Sequence, residues 1–244
     1  MSRFFFLEKE ANNFRYKNGY NNQESINLHS FLLKLKVLTY FKGLNKSISG
    51  LALKEDNYHF ILVNSNHPIG RQNFTICHEL YHLFIQSSFS NQPCYFDPKN
   101  NTKEDKNADI FAIFLLMPRD GIFELIPNSE FKKNKLELRT IIKIEQYYQC
   151  SRSATIFRLC DLGLIDFEKY EKFKKNVTKS AKTFGYNDEL YKPGNEGKFI
   201  GDYGEIAQKL FQNGNISESK YITLLSDIGI EIDSILNDND NEFN

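Results

Sequence analysis

Apolar residues in the first part of the chain recur at the three- and four-residue spacing of helices, then gather into short runs typical of strands. Residues 6–17 form one helical stretch closed by Gly19, and Ser25 stands as the N-cap of a second that carries Ile26, Leu28, Phe31, Leu32 and Leu35. Residues 37–41, 48–53 and 58–63 are largely apolar, β-branched or aromatic, punctuated by Gly43, Gly50 and Asn64-Ser65-Asn66. They predict a small sheet. Helical spacing returns at residues 74–85, where Ile76, Leu80, Leu83 and Phe84 surround a few polar positions, so this helix is predicted to pack in the core. It returns again at 103–117 through Ala108, Phe111, Ala112 and Leu115, until Pro118 stops it. Between these two helices, residues 87–102 hold Pro93, Pro98 and several Ser and Asn, and read as a surface loop. Helices around a small sheet make the predicted fold class α+β.

Downstream the pattern is helical. Residues 137–148 form an amphipathic helix, Gln149-Cys150 turns the chain, Ser151 caps a second helix over 152–162, and Gly163 ends it. A basic, poorly periodic stretch at 172–182 leads to a Gly-, Pro- and Asn-rich connector at 191–197, which reads as a linker. Helices are predicted at 200–211 and 218–230, the second capped by Ser217, and the run at 237–242 is too polar to pack and reads as disordered. The chain therefore divides into a core at 1–130, a helix-turn-helix-like segment at 131–168 and a helical extension at 169–244 with a disordered tail.

Composition narrows the classes of function. The 31 basic and 31 acidic residues cancel, so no global field recruits nucleic acid or an anionic membrane. Local basic groups remain: Arg152, Arg158, Lys132, Lys133 and Lys135 are candidates for phosphate contacts if the helix-turn-helix-like segment meets DNA. The other reading of that segment is packing on the core or docking of a protein partner. No apolar run reaches the length of a membrane span, and Glu8-Lys9-Glu10 cuts short the apolar start, which argues against a secretory leader and for the cytoplasm. Cys77, Cys94, Cys150 and Cys160 lack C-x-x-C spacing and read as free thiols, with Cys77 a small buried residue.

The chemistry is concentrated in His78-Glu79-Leu80-Tyr81-His82. On a helix, His78 and His82 lie one turn apart on one face, so both imidazoles can reach one metal ion. Glu79 lies about 100° round the axis from His78, where a general base acting on a metal-activated water belongs. A catalytic zinc site needs a third protein ligand. The elongated H-E-x-x-H-x-x-G-x-x-H form is excluded by Ile85 and Ser88, which leaves a carboxylate on the next helix, where Glu104, Asp105 and Asp109 stand. His29, His59 and His67 read as surface or packing residues.

Arg71-Gln72-Asn73-Phe74-Thr75 leading into His78-Glu79-Leu80-Tyr81-His82, followed by Ala108-Asp109-x-Phe111-Ala112-x-x-Leu115-Leu116-Met117-Pro118, resembles the ImmA/IrrE family of intracellular metallo-endopeptidases. Asn64 and Arg71 match family positions ahead of the metal helix. The resemblance implies a zincin-like core holding Zn2+, followed by a mainly helical C-terminal half. It implies metal ligands His78, His82 and, at the position where the family carries a glutamate, the one-methylene-shorter Asp105, with Glu104 as the neighbouring alternative. Glu79 is the implied base, and Asp109 the carboxylate that orients a ligand histidine through its other ring nitrogen. The implied substrate is a protein, typically a helix-turn-helix repressor or antitoxin cut to release transcription. Residues 203–225 also resemble an extension seen in members encoded with repressors or antitoxins. The alternative is a zinc-containing module that binds a repressor or DNA without hydrolysis, as a regulatory or toxin–antitoxin component. Glu79 favours hydrolysis, because a purely structural zinc needs no base beside it.

Overall fold

The computed structural model describes residues 3–87, 93–95, 102–166 and 168–230. Helices α1 (Arg3–Lys17) and α2 (Leu28–Leu35) precede the strands β1 (Val37–Lys42), β2 (Ile48–Glu55) and β3 (Tyr58–Asn64). Helix α3 (Ile69–Phe84) carries both motif histidines and is followed by the short strand β4 (Pro93–Tyr95) and by α4 (Lys103–Leu116). Then come α5 (Arg119–Leu125), α6 (Leu138–Tyr147), α7 (Arg152–Asp161), α8 (Glu168–Lys174), α9 (Val177–Thr183), β5 (Phe199–Ile200), α10 (Tyr203–Gln212) and α11 (Glu218–Asp227).

The sheet runs β4-β2-β3-β1-β5, with β1 parallel to β3 and the other pairs antiparallel, so the fold is α+β. Val37, Thr39 and Phe41 alternate inward along β1, opposite the register of His59 to Val63. Helix α3 packs on β2, β3 and α4, and α1 also packs on α4. Phe14 of α1 meets Phe31, Phe84 and Phe111 at centroid distances of 5.7, 5.6 and 6.0 Å, which ties α1, α2, α3 and α4 into one core. Arg15 is fully buried and donates to the carbonyls of Leu115, Asn21 and Glu24. Its charge lies at the C-terminal end of α4, where carbonyl dipoles favour a cation.

Several expectations are corrected. The N-cap of α2 is Asn27, whose side chain accepts from the Ser30 amide, rather than Ser25. The loop between the two motif helices contains β4, which pairs with β2. The stretch at 172–182 spans parts of α8 and α9. The connector at 191–197 is docked: the Lys192 carbonyl accepts from the Ile69 amide, the buried Gln72 side chain donates to the Gly194 carbonyl and accepts from Asn195, and Gly197 N–H donates to Phe41. It then enters β5 against β1, where a helix start was predicted at residue 200. The tail at 237–242 lies outside the described residues.

The helix-turn-helix-like pair α6–α7 forms as expected, with Ser151 accepting from the Ala154 amide and Gly163 ending α7 at φ +71°. Its arginines face inward. Arg152, 3% exposed, pairs with the buried Glu145 and donates to the Phe173 carbonyl. Arg158, 1% exposed, pairs with Glu8 and Asp161, donates to the Met117 carbonyl and covers the Phe114 ring at 4.3 Å. Neither guanidinium is placed to touch a phosphate, because each is enclosed by its partners.

Candidate metal centre

The site forms where α3 and α4 pack together beside β2. Helix α3 is fixed on three sides, which sets the direction of its polar residues. Ile76, Cys77, Leu80 and Leu83 are buried, and Gln72 is held by the carbonyls of Ser65, His67 and Gly194. On the sheet side, β2 approaches so closely that a Cβ on Gly50 would lie 2.6 Å from Thr75 Cγ2, 2.9 Å from the Leu62 carbonyl oxygen and 3.2 Å from Glu79 Oε1. Only glycine fits there, and its lack of a side chain leaves room for the Glu79 carboxylate.

His78 and His82 present their Nε2 atoms to each other at 3.0 Å. The opposite ring nitrogens are engaged: His78 Nδ1 lies 2.8 Å from Asp109 Oδ1, and His82 Nδ1 lies 2.5 Å from Gln86 Oε1. An oxygen acceptor at each Nδ1 keeps the ring proton there in the neutral imidazole, so both Nε2 lone pairs turn into the space between the rings. Burial and the neighbouring His78 hold the His82 imidazole below its ordinary pKa, which keeps it neutral and able to donate that lone pair.

Asp105 Oδ1 is 3.6 Å from His82 Nε2, and one ligand atom from each of His78, His82 and Asp105 falls within a 4.8 Å span. Two zinc–nitrogen bonds of about 2.0–2.1 Å at a tetrahedral angle place their nitrogens about 3.3 Å apart. The separations of 3.0 Å between the two Nε2 atoms and 3.6 Å from His82 to Asp105 bracket that value, so the pairs that include His82 match zinc ligation, and His78, His82 and Asp105 are the residues that would hold the ion. Glu104, the neighbouring alternative, turns elsewhere: Oε2 accepts from Tyr81 Oη at 2.6 Å and from Asn107 at 3.3 Å. The Tyr81 bond and Asn107 lower the Glu104 pKa against the opposing effect of burial.

Each predicted site residue therefore has a defined place. His78, His82 and Asp105 converge, Asp109 stands behind His78, and Glu79 lies on the sheet side against Gly50. Gln86 was missed by the sequence reading, although its position one turn after His82 was a signal for a partner to that ring. Gly50 was read only as strand punctuation, and its role depends on β2 crossing α3, which no local pattern encodes. His67 is buried with Nε2 on the Lys46 carbonyl, in a packing role. Cys77 and Cys150 are fully buried, and burial pushes both thiols far up.

Among the described residues, no helix is long and apolar enough to cross a membrane. No curated protein matches the chain. The family model described as the IrrE N-terminal-like domain matches residues 33–160, which take in the sheet up to β4, the histidine helix, the carboxylate helix and nearly all of the α6–α7 pair. That match covers more than half of the chain, so the chain belongs to the Peptidase_M78 family, a metallopeptidase family.

Proposed function

We propose that this protein is a zinc-dependent endopeptidase acting inside the cell on a protein, most naturally a helix-turn-helix repressor or antitoxin. The observation that carries the reading is the convergence of His78 Nε2, His82 Nε2 and Asp105 Oδ1, with the carboxylate of the adjacent Glu79 against Gly50. When bound, zinc lowers the pKa of water from about 15.7 towards about 7 and polarises a peptide carbonyl.

The protein residues divide the remaining work. Asp109 and Gln86 fix the imidazole orientations, and Asp105 supplies the single carboxylate oxygen that completes the ligand set. Glu79 takes a proton from the water that attacks the peptide carbonyl and returns it to the departing amine as the C–N bond breaks. Glu79 is 1% exposed, so its carboxylate meets little competing solvent.

The test is incubation of the zinc-loaded chain with the repressor or antitoxin encoded beside its gene, followed by mass spectrometry of the products. Discrete fragments that vanish on chelation and return with zinc support the reading. An intact partner that co-purifies stoichiometrically with the zinc-loaded chain would replace it with the non-hydrolytic binding module.

A further inference from the structure

Asp105 serves two structures at once. Helix α4 opens with a capping box in which Thr102 Oγ1 accepts from the Asp105 amide at 3.1 Å, while Asp105 Oδ2 accepts from the Thr102 amide at 2.7 Å and from its hydroxyl at 2.8 Å. The other carboxylate oxygen, Oδ1, is the one that faces His82 Nε2. A short carboxylate at the third helical position has few rotamers, and two hydrogen bonds on one of its oxygens select among them.

We infer that Thr102 is a positioning residue for the metal: by binding Oδ2 it turns Oδ1 towards the histidines and restricts Asp105 to one ligating oxygen. The inference rests on the proposed zinc site and adds to it a residue that touches neither the ion nor the substrate. It also accounts for how an aspartate serves at this position. The shorter side chain reaches the histidines from the first turn of α4, where the cap fixes its direction, and the second oxygen is unavailable for bidentate binding.

The experiment is zinc affinity, measured by competition with a chromophoric chelator, for the native chain, Thr102→Val, Thr102→Ser, Asp105→Ala and the Thr102→Val/Asp105→Ala double variant. Thermal unfolding of each zinc-free chain reports the cap separately. Loss of the hydroxyl in Thr102→Val should weaken zinc roughly 10–100-fold, as loss of groups that orient ligands does. Thr102→Ser should stay within about threefold of native, and Thr102→Val should have no further effect once Asp105 is alanine, since coupled residues are non-additive. Native zinc affinity in Thr102→Val, with only a lowered unfolding temperature, would reduce Thr102 to a helix cap and overturn the inference while leaving the zinc site standing. A native chain that takes up no zinc, or an Asp105→Ala variant that binds it as tightly as native, would overturn the site itself.

Discussion

His78 Nδ1 lies 2.8 Å from Asp109 Oδ1, a contact that joins the histidine helix to the carboxylate helix. The two carboxylates of α4 that meet the histidines of α3 are one turn apart, Asp105 in front of His82 and Asp109 behind His78. In the proposed centre, one helix face thus supplies a ligand and the group that orients another ligand. Asp109→Ala should lower zinc affinity roughly 10–100-fold. Its side chain is 37% exposed, so the fold should lose little stability. Titration calorimetry measures the affinity, and an unchanged zinc affinity would remove Asp109 from the site.

Gly50→Ala tests the close approach of β2 to α3. The added methyl would meet Thr75 Cγ2 at 2.6 Å and the Leu62 carbonyl oxygen at 2.9 Å, so backbone or helix must shift. Overpacking of this kind costs about 1–3 kcal/mol, to be read from urea denaturation of the zinc-free chain. Adding Thr75→Ser, which removes Cγ2, should restore part of the loss. Native stability in Gly50→Ala would show that the strand and helix separate freely.

Arg158→Met tests whether the α6–α7 unit uses its arginines inside the protein. Removing a buried cation that serves Glu8, Asp161 and the Met117 carbonyl should cost about 3 kcal/mol, at the low end for a broken buried pair because both carboxylates keep some contact with water. The midpoint of chemical denaturation reports it. Full stability together with loss of duplex DNA binding would instead assign Arg158 to the surface.

Acid should destabilise the zinc-free chain. Burial lowers the pKa of His59, His67 and His82, so the unfolded chain binds protons near pH 6.5 while the folded chain resists them. The unfolded state then holds more protons, and stability present above about pH 6.5 declines as pH falls below it. Urea denaturation at pH 7.5 and 5.5 should show the decline, with a shallower slope for His82→Gln. A pH-independent or rising stability on acidification would contradict this.

The metal helix was legible because its chemistry repeats at the helix's own period: His78 and His82 share a face whatever surrounds them. The carboxylate helix was legible down to Asp105 and Asp109, but the choice between Asp105 and Glu104 needed the packing of Tyr81 against Glu104. Strands β4 and β5 were hidden because three and two residues carry no alternation, and each exists through pairing with an edge of the sheet. The segment at 191–197 looked like a linker from its Gly, Pro and Asn. Its backbone groups are instead taken up by Ile69, Gln72 and Phe41, partners distant in sequence. Arg152 and Arg158 are candidates for phosphate contacts in the sequence because it shows a charge without showing Glu145, Glu8 or Asp161 beside it.

The most direct test of the account compares the native chain with Glu79→Gln, measuring bound zinc and hydrolysis of the same protein substrate. Glutamine keeps the shape but cannot take a proton, so zinc should remain stoichiometric in both while hydrolysis falls roughly 10²–10⁴-fold. Equal hydrolysis by both chains at equal zinc would contradict the assignment of Glu79 as the base, and absence of zinc from the native chain would contradict the centre as a whole.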